Sequence, residues 1–247
     1  MVVEGSTKRT AARNGRASSA MRDKKDATPW LRLAGFDISS DQLHRFASCF
    51  QNHNISVAPE LRSRKKGDAA ELVSAYVVAL NLEAIKALRG AASVAEGHAL
   101  IFGVGSEYQL LGFPELRLNA LIDECTESAV RAAVDKTAPF VRGSATAHDR
   151  IPIVTSAKVD IGTVSLSGFT LNLGCGGMAL RLRRDVDLPA TVRVSWSLPG
   201  IDSLAVEATP RWNSGRTVGL QYVATAPAVL LHWIRTYSAR LRVTSVT

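Results

Sequence analysis

The chain has 247 residues, of which 46% are hydrophobic and 21% charged, as expected for a folded protein of one or two domains. Its longest apolar runs are too short to cross a bilayer, and no signal-peptide pattern occurs at the N-terminus, so we expect a cytoplasmic protein without a transmembrane segment. Half of the net charge of +8 comes from residues 1–29, which contain seven basic and three acidic residues.

Residues 1–29 have no periodic apolar face, so they are predicted to be a disordered basic tail. Such a tail can contact nucleic acid or anionic lipid, or it can stay solvated without a specific partner. The basic run Arg62–Lys66 has two similar interpretations, an anion site or a solvated loop. No helix-turn-helix or zinc-finger pattern occurs, so no specific nucleic-acid partner is expected.

Residues 30–140 alternate between short apolar runs and amphipathic helical patterns. This alternation predicts a doubly wound parallel sheet with helices on both faces. The predicted strands are Trp30–Phe36, Ile55–Leu61, Tyr76–Leu80, Ala99–Val104 and Ala120–Ile122. The predicted helices run from Ser39 or Ser40 to Asn52, from Leu82 to Arg89, and from Thr126 to about Phe140.

This order of elements resembles the receiver domain of two-component signalling, which has a flavodoxin-like fold. Receivers take a phosphoryl group on an Asp after the third strand, and they use an acidic pair for Mg²⁺ and a lysine after the fifth strand. Here the third strand ends at Leu80 and Asn81, Asp37 has no adjacent carboxylate, and Asp123–Thr126 contains no lysine. We therefore predict a degenerate receiver-like domain that does not accept phosphate.

Residues 141–247 form the second predicted domain, in which strict apolar alternation replaces the helical pattern. The change predicts an antiparallel β-barrel over about 150–223 and a helix from about Pro227 to Leu241. Within it, the alternation that starts at Phe169 runs into three glycines in four residues and resumes at Met178. Glycines at such a break allow positive φ and close approach of a ligand or another strand.

The pattern Asn172-x-Gly174-x-x-Gly177 resembles the second signature of the PilZ family, bacterial β-barrel domains that bind cyclic di-GMP. The family form has a serine at the position of Gly174. The first family signature, Arg-x-x-x-Arg, resembles the segment that ends at Arg150, where Thr146 stands at the first arginine position. Two later segments resemble the family's later strands, Val194–Gly200 and Pro210–Tyr222.

The resemblance implies a cyclic di-GMP site on the barrel. Arg150 is expected to contact a phosphate or a guanine, and Asn172 a guanine edge. Gly177 would permit close backbone approach, and Gly174 leaves space but lacks the serine hydroxyl. Arg142, eight residues before Arg150 in a Gly/Ser/Ala linker, is the candidate to replace the charge missing at Thr146.

Two functions remain open from the sequence. The first is a non-catalytic signalling protein that binds cyclic di-GMP and relays it to an unknown downstream protein. The alternative is an interaction adaptor that does not bind nucleotide, which the departures at Thr146 and Gly174 favour. No enzyme activity, cofactor or metal is expected, because the cysteines lack a catalytic histidine partner and the five histidines lack metal-ligand spacing.

Three further predictions concern packing. The cysteines Cys49, Cys125 and Cys175 are expected to be reduced, buried thiols. Trp196 and Trp212 are interpreted as core or barrel-wall residues. The apolar face of the last helix should pack on the barrel or on the first domain, and its width would also suit a homodimer contact; it comprises Leu230, Leu231, Trp233, Ile234 and Tyr237.

Overall fold

The computed structural model describes residues 28–61, 75–91, 99–146 and 149–241. The predicted basic tail therefore lies outside the described residues except for its last two positions, and the run Arg62–Lys66 lies outside them entirely. The first domain contains strands β1 Trp30–Phe36, β2 Ser56–Leu61, β3 Ala75–Ala79, β4 Leu100–Val104 and β5 Ala120–Ile122. Its helices are α1 Ser40–Asn52, α2 Leu82–Arg89, α3 Glu107–Leu111 and α4 Glu127–Val141.

The five strands form a parallel sheet in the order β2-β1-β3-β4-β5, so β5 is an edge strand of that sheet. Helices α1 and α4 pack together on one face, where Phe46 and Phe50 lie against Phe102. Helices α2 and α3 bury Ile85 and Leu110 in a second cluster on the opposite face. The sheet is doubly wound, which confirms the predicted fold class.

Local sequence explains where these helices begin. Ser39 starts α1 with a capping box in which its side chain accepts from Gln42 N, and Asn81 and Thr126 cap α2 and α4. Helix α3 was not predicted, because five residues are too few to show helical periodicity. Its capping box, Ser106 with Gln109, was the available signal.

The second domain is a closed antiparallel barrel followed by a helix. Six strands follow one another in the order β8-β7-β10-β11-β12-β9, and β9 pairs back onto β8 to close the barrel. A short strand, β6, extends the sheet beside the end of β8. The bounds are β6 Ile151–Pro152, β7 Ser156–Ile161, β8 Val164–Leu173, β9 Gly177–Leu182, β10 Val192–Leu198, β11 Ile201–Ser214, β12 Thr217–Tyr222 and α5 Ala228–Arg240.

A buried asparagine connects the two domains. Asn119, only 3% exposed, accepts from Ile101 N through Oδ1 at 2.9 Å. Its Nδ2 donates to Pro152 O at 3.0 Å and to the Tyr237 hydroxyl at 3.1 Å. Burial raises the pKa of Tyr237 to about 12, so this hydroxyl stays protonated at neutral pH.

Helix α5 contacts both domains, which agrees with the packing expected for it. Trp233 Nε1 donates to Pro199 O in the barrel at 3.1 Å, and Tyr237 reaches Asn119 in the first domain. The apolar face considered for a homodimer contact is therefore largely buried within the chain itself, including Leu230 and Ile234.

Two packing predictions need correction. Cys49 is buried and Cys125 partly buried, and burial raises the pKa of both thiols, but Cys175 is exposed because it lies in the turn between β8 and β9. Trp196 is buried as predicted, whereas Trp212 is 47% exposed on the outer surface of the barrel. Among the described residues, no helix is long and apolar enough to span a membrane.

Candidate functional site

The carboxyl edge of the parallel sheet is where a receiver carries its chemistry. Asp37 follows β1 and Asn81 follows β3, and Asn81 Nδ2 donates to Asp37 Oδ2 at 2.6 Å. Asn81 also accepts from Ala84 N at 2.9 Å as the cap of α2. A neutral amide thus stands beside the acidic residue, and no group of three potential metal ligands occurs in the described part of the chain.

On the barrel, three of the predicted site residues meet in one place. A cavity of about 340 Å³, here called the barrel-end cavity, lies at the turn between β8 and β9 and extends to β11 and β12. Its lining consists of Arg150, Gly174, Cys175, Gly176, Gly177, Arg211, Trp212, Gly219, Leu220 and Gln221. Arg150, Gly174 and Gly177 are therefore brought together, as the sequence analysis expected.

Gly174 and Arg150 are in close contact. A Cβ at Gly174 would lie 3.0 Å from Arg150 Cγ, so the arginine stem packs directly over the glycine backbone. Gly174 N donates to Gly177 O at 2.9 Å, and Tyr222 N donates to Gly176 O at 3.1 Å, which fixes the turn against β12. The serine-to-glycine departure thus makes room for the aliphatic part of Arg150.

Gly177 lies in close contact with the neighbouring strand. A Cβ there would lie 2.2 Å from Leu220 O on the paired strand β12. The close approach that Gly177 permits in the structure is therefore that of the chain's own backbone. We assign this glycine to barrel closure.

Sequence reasoning missed two lining residues, Arg211 and Trp212. The Arg211 guanidinium is held by its Nε, which donates to Gln221 Oε1 at 2.6 Å. The indole of Trp212 lies across Gly219, where a Cβ would come within 2.0 Å of the indole Nε1. The register of β11 against β12 shifts between Pro210 and Trp212, so the regular alternation of inward and outward side chains is interrupted at this point of the strand.

Asn172 lines a second cavity. Leu173 is buried in the core, whereas the preceding residue, Asn172, is half-buried. Asn172 faces a space of about 530 Å³ between the domains, here called the interdomain cavity, and its Oδ1 is buried without a hydrogen-bond partner in the described part of the chain.

Arg142 lines neither cavity. It is the C-cap of α4, where its N–H donates to Ala138 O at 3.0 Å, and its side chain is exposed. The linker after it folds back onto the helix, because Ala145 N donates to Pro139 O at 3.0 Å. Thr146 N donates to the Asp149 carboxylate, and Asp149 N returns a bond to Thr146 O at 3.1 Å, so this carboxylate closes a local turn.

Ion pairs hold the barrel against the first domain beside the interdomain cavity. Glu107 at the start of α3 pairs with Arg181 at 3.1 Å and with Arg216 at 2.9 Å. Leu118 and Val154 also form an isolated antiparallel bridge between the domains, with N–H to oxygen distances of 3.1 and 2.7 Å. Both domains therefore contribute fixed walls to the cavity.

Comparison with known proteins identifies the barrel domain. Residues 145–239 match the PilZ domain family, and they form a PilZ domain that begins in the linker after α4 and ends within α5. None of the curated proteins matches the chain.

Two solved structures are similar to part of the chain. One is the Bacillus subtilis inhibitor of motility MotI/DgrA, with 20% identity and a TM-score of 0.31 over 35% of this chain and 48% of that one. The other is the PilZ domain of CeSA from a cellulose-synthesizing bacterium, with 21% identity and a TM-score of 0.28 over 37% of this chain and 92% of that one. The chain thus spans about half the length of the MotI chain that it matches.

Proposed function

We propose that the PilZ domain at residues 145–239 binds cyclic di-GMP at the barrel-end cavity and relays this signal to a protein partner in the cytoplasm, without catalysing a reaction. The observation that carries the proposal is the grouping of Arg150, Arg211 and Trp212 around one cavity. A ligand with two phosphates and two guanines needs fixed cations and flat surfaces for its bases. Two guanidinium groups and one indole meet those needs.

The charge of the cavity supports an anionic ligand. No Asp or Glu is among the described residues that line it, and the carboxylate next to Arg150 in sequence, Asp149, is engaged with Thr146 N. Arg211 lines the cavity, whereas Arg142 does not, so Arg211 is the better candidate for the second cation that Thr146 fails to provide. The Gln221 side chain holds Arg211 in position before the ligand arrives.

Calorimetric titration of the full chain with cyclic di-GMP tests the proposal. We expect Arg150→Ala to abolish measurable binding and Arg211→Ala to weaken it by roughly tenfold, because each removes a charge-assisted phosphate contact. Arg193→Ala is the matched control, since Arg193 is an exposed arginine on β10 that lines neither cavity. No heat of binding for the wild type at high ligand concentration, or unchanged binding by Arg150→Ala, would overturn the proposal.

The second candidate function is an interaction adaptor that does not bind nucleotide. Thr146 and Gly174 favour it, because they remove one charge and one hydroxyl from the family pattern. In that case the barrel serves as a scaffold for a protein partner. The same titration separates the two functions.

A further inference from the structure

The interdomain cavity has the size of a ligand pocket, and its walls combine apolar and charged residues. Its volume of about 530 Å³ falls within the range of roughly 300–1,000 Å³ that small-molecule sites occupy. The barrel contributes Phe169 and Leu171, while the first domain contributes the edge strand β5 and the alanines of α4, Ala129, Ala132 and Ala133. The small α4 side chains leave the space open.

The polar lining includes the cations Lys136 and Arg181 as well as unused hydrogen-bond acceptors. Asn172 Oδ1 is buried without a partner in the described part of the chain. Asp123, which follows the carboxyl end of β5, has an exposed carboxylate with no ion pair or hydrogen bond to any described residue. Glu107, in contrast, is occupied by Arg181 and Arg216. The cavity therefore suits a flat, partly apolar ligand that donates hydrogen bonds.

Guanine is such a ligand, because its N1–H and N2–H₂ groups are neighbouring donors, whereas adenine lacks this pair. We propose that the interdomain cavity holds one guanine of cyclic di-GMP and that Asp123, from the first domain, accepts hydrogen bonds from its donor edge together with Asn172. This inference rests on the proposed function, since the phosphates of the same ligand are assigned to Arg150.

The two cavities are close enough for one ligand. Asn172 is the second-last residue of β8 and Gly174 directly follows that strand, so they are about 7 Å apart at the rise of an extended chain. One guanosine phosphate unit can therefore extend from Arg150 to the interdomain cavity. The first domain then contributes directly to recognition of the base, so nucleotide specificity depends on both domains.

Titration of the full chain with cyclic di-GMP and with its inosine analogue, cyclic di-IMP, tests this assignment. The analogue lacks the exocyclic amine, so we expect the wild type to bind it roughly tenfold more weakly. In Asp123→Ala the affinity for cyclic di-GMP should fall by roughly tenfold, and the preference over cyclic di-IMP should become smaller, with Asn172 as the remaining acceptor. Asp187→Ala, which removes an exposed carboxylate that lines neither cavity, should change neither quantity.

The sign of the Asp123→Ala effect is decisive. Removing a negative charge near an anionic ligand raises affinity through long-range electrostatics, so only a direct hydrogen bond explains a fall. If the wild type binds and Arg150→Ala abolishes binding, while Asp123→Ala binds equally or more tightly, the guanine assignment is wrong and the proposed function stands. If the wild type does not bind at all, both fail.

Discussion

At the scale of single residues, Arg150 and Gly174 determine each other's environment. The arginine stem occupies the space that a serine side chain would need, with 3.0 Å between its Cγ and a Cβ placed at Gly174. Tyr222 lies nearby; burial raises the pKa of its hydroxyl, and the positive charge of Arg150 partly opposes that rise. The glycine that replaces the family's serine at position 174 thus leaves space for the side chain of Arg150.

Restoring the first arginine of the family pattern should strengthen binding. Thr146→Arg adds a guanidinium on an exposed residue, and the turn closed by Asp149 persists because Asp149 accepts from the backbone N–H of residue 146. We expect affinity for cyclic di-GMP to rise by roughly tenfold, measured by calorimetry. Thr146→Gln controls for side-chain length. Equal affinities for Thr146→Arg and the wild type would mean that Arg211 already fills the role.

The two tightly contacted glycines should respond differently to substitution. Gly177→Ala drives a Cβ against Leu220 O, a backbone atom, and should lower the free energy of unfolding by about 2–3 kcal/mol. Gly219→Ala meets only the Trp212 indole, which can swing away, so its cost should be about 1 kcal/mol or less. Denaturant titration measures both, and tryptophan fluorescence should report the displaced Trp212 only in Gly219→Ala. Similar stability losses in both variants would contradict this distinction.

The site residues differ in how well the sequence indicated them. Arg150, Gly174 and Gly177 could be found because the family signatures fix their spacing, and they do line one cavity. Arg211 and Trp212 were missed, although Pro210 within the predicted strand was an available signal for the irregularity beside them. Trp212 lies opposite Gly219 on the neighbouring strand, and such a pair can be recognised only once the pairing register of β11 and β12 is known.

At the scale of elements, the helix bounds were predicted closely because capping residues mark them. Ser39, Asn81 and Thr126 each accept a hydrogen bond from the first turn of the helix that follows. The short elements were missed, since α3 has five residues and β6 has two, too few for a periodic signal. Element length thus determined what could be predicted.

The residues that follow β1 and β3 indicate that the first domain is not phosphorylated. Acetyl phosphate with Mg²⁺ should leave the protein unmodified. Among the described residues that follow these two strands, the carboxylate of Asp37 is hydrogen-bonded to the Asn81 amide, and no acidic residue stands at the end of β3. Intact-mass spectrometry should therefore show no added phosphoryl group. A phospho-aspartate on Asp37 would contradict the prediction, and a known receiver treated in parallel verifies the reagent.

At the scale of the whole molecule, alkaline pH should destabilise the fold through Tyr237. Burial raises its pKa to about 12 in the folded state, from the ordinary tyrosine value of 10.0, so between these pH values the folded state keeps a proton that the unfolded state has lost. The contribution of Tyr237 to the free energy of unfolding should be constant below pH 10 and fall by up to about 1.4 kcal/mol per pH unit above it. Urea denaturation at pH 9 and pH 11.5 should show a smaller decline for Tyr237→Phe. An equal decline would contradict this assignment.

The mutual orientation of the domains could not be read from the sequence. It depends on contacts such as those of Asn119, a buried polar residue that bonds to Ile101, Pro152 and Tyr237 but belongs to no recognisable motif. Periodicity reports which residues are apolar, and it says nothing about the partner of a single buried amide. For the same reason the interdomain cavity was not foreseen.

The apolar interior runs without a break from one domain into the other. One cluster of buried side chains contains Phe46 and Val134 from the first domain and Trp196 and Leu230 from the second. Neither half can melt without exposing part of its neighbour, so heating should give a single calorimetric transition. A ligand that binds only the folded state, in either domain, should therefore raise the unfolding temperature of both domains together.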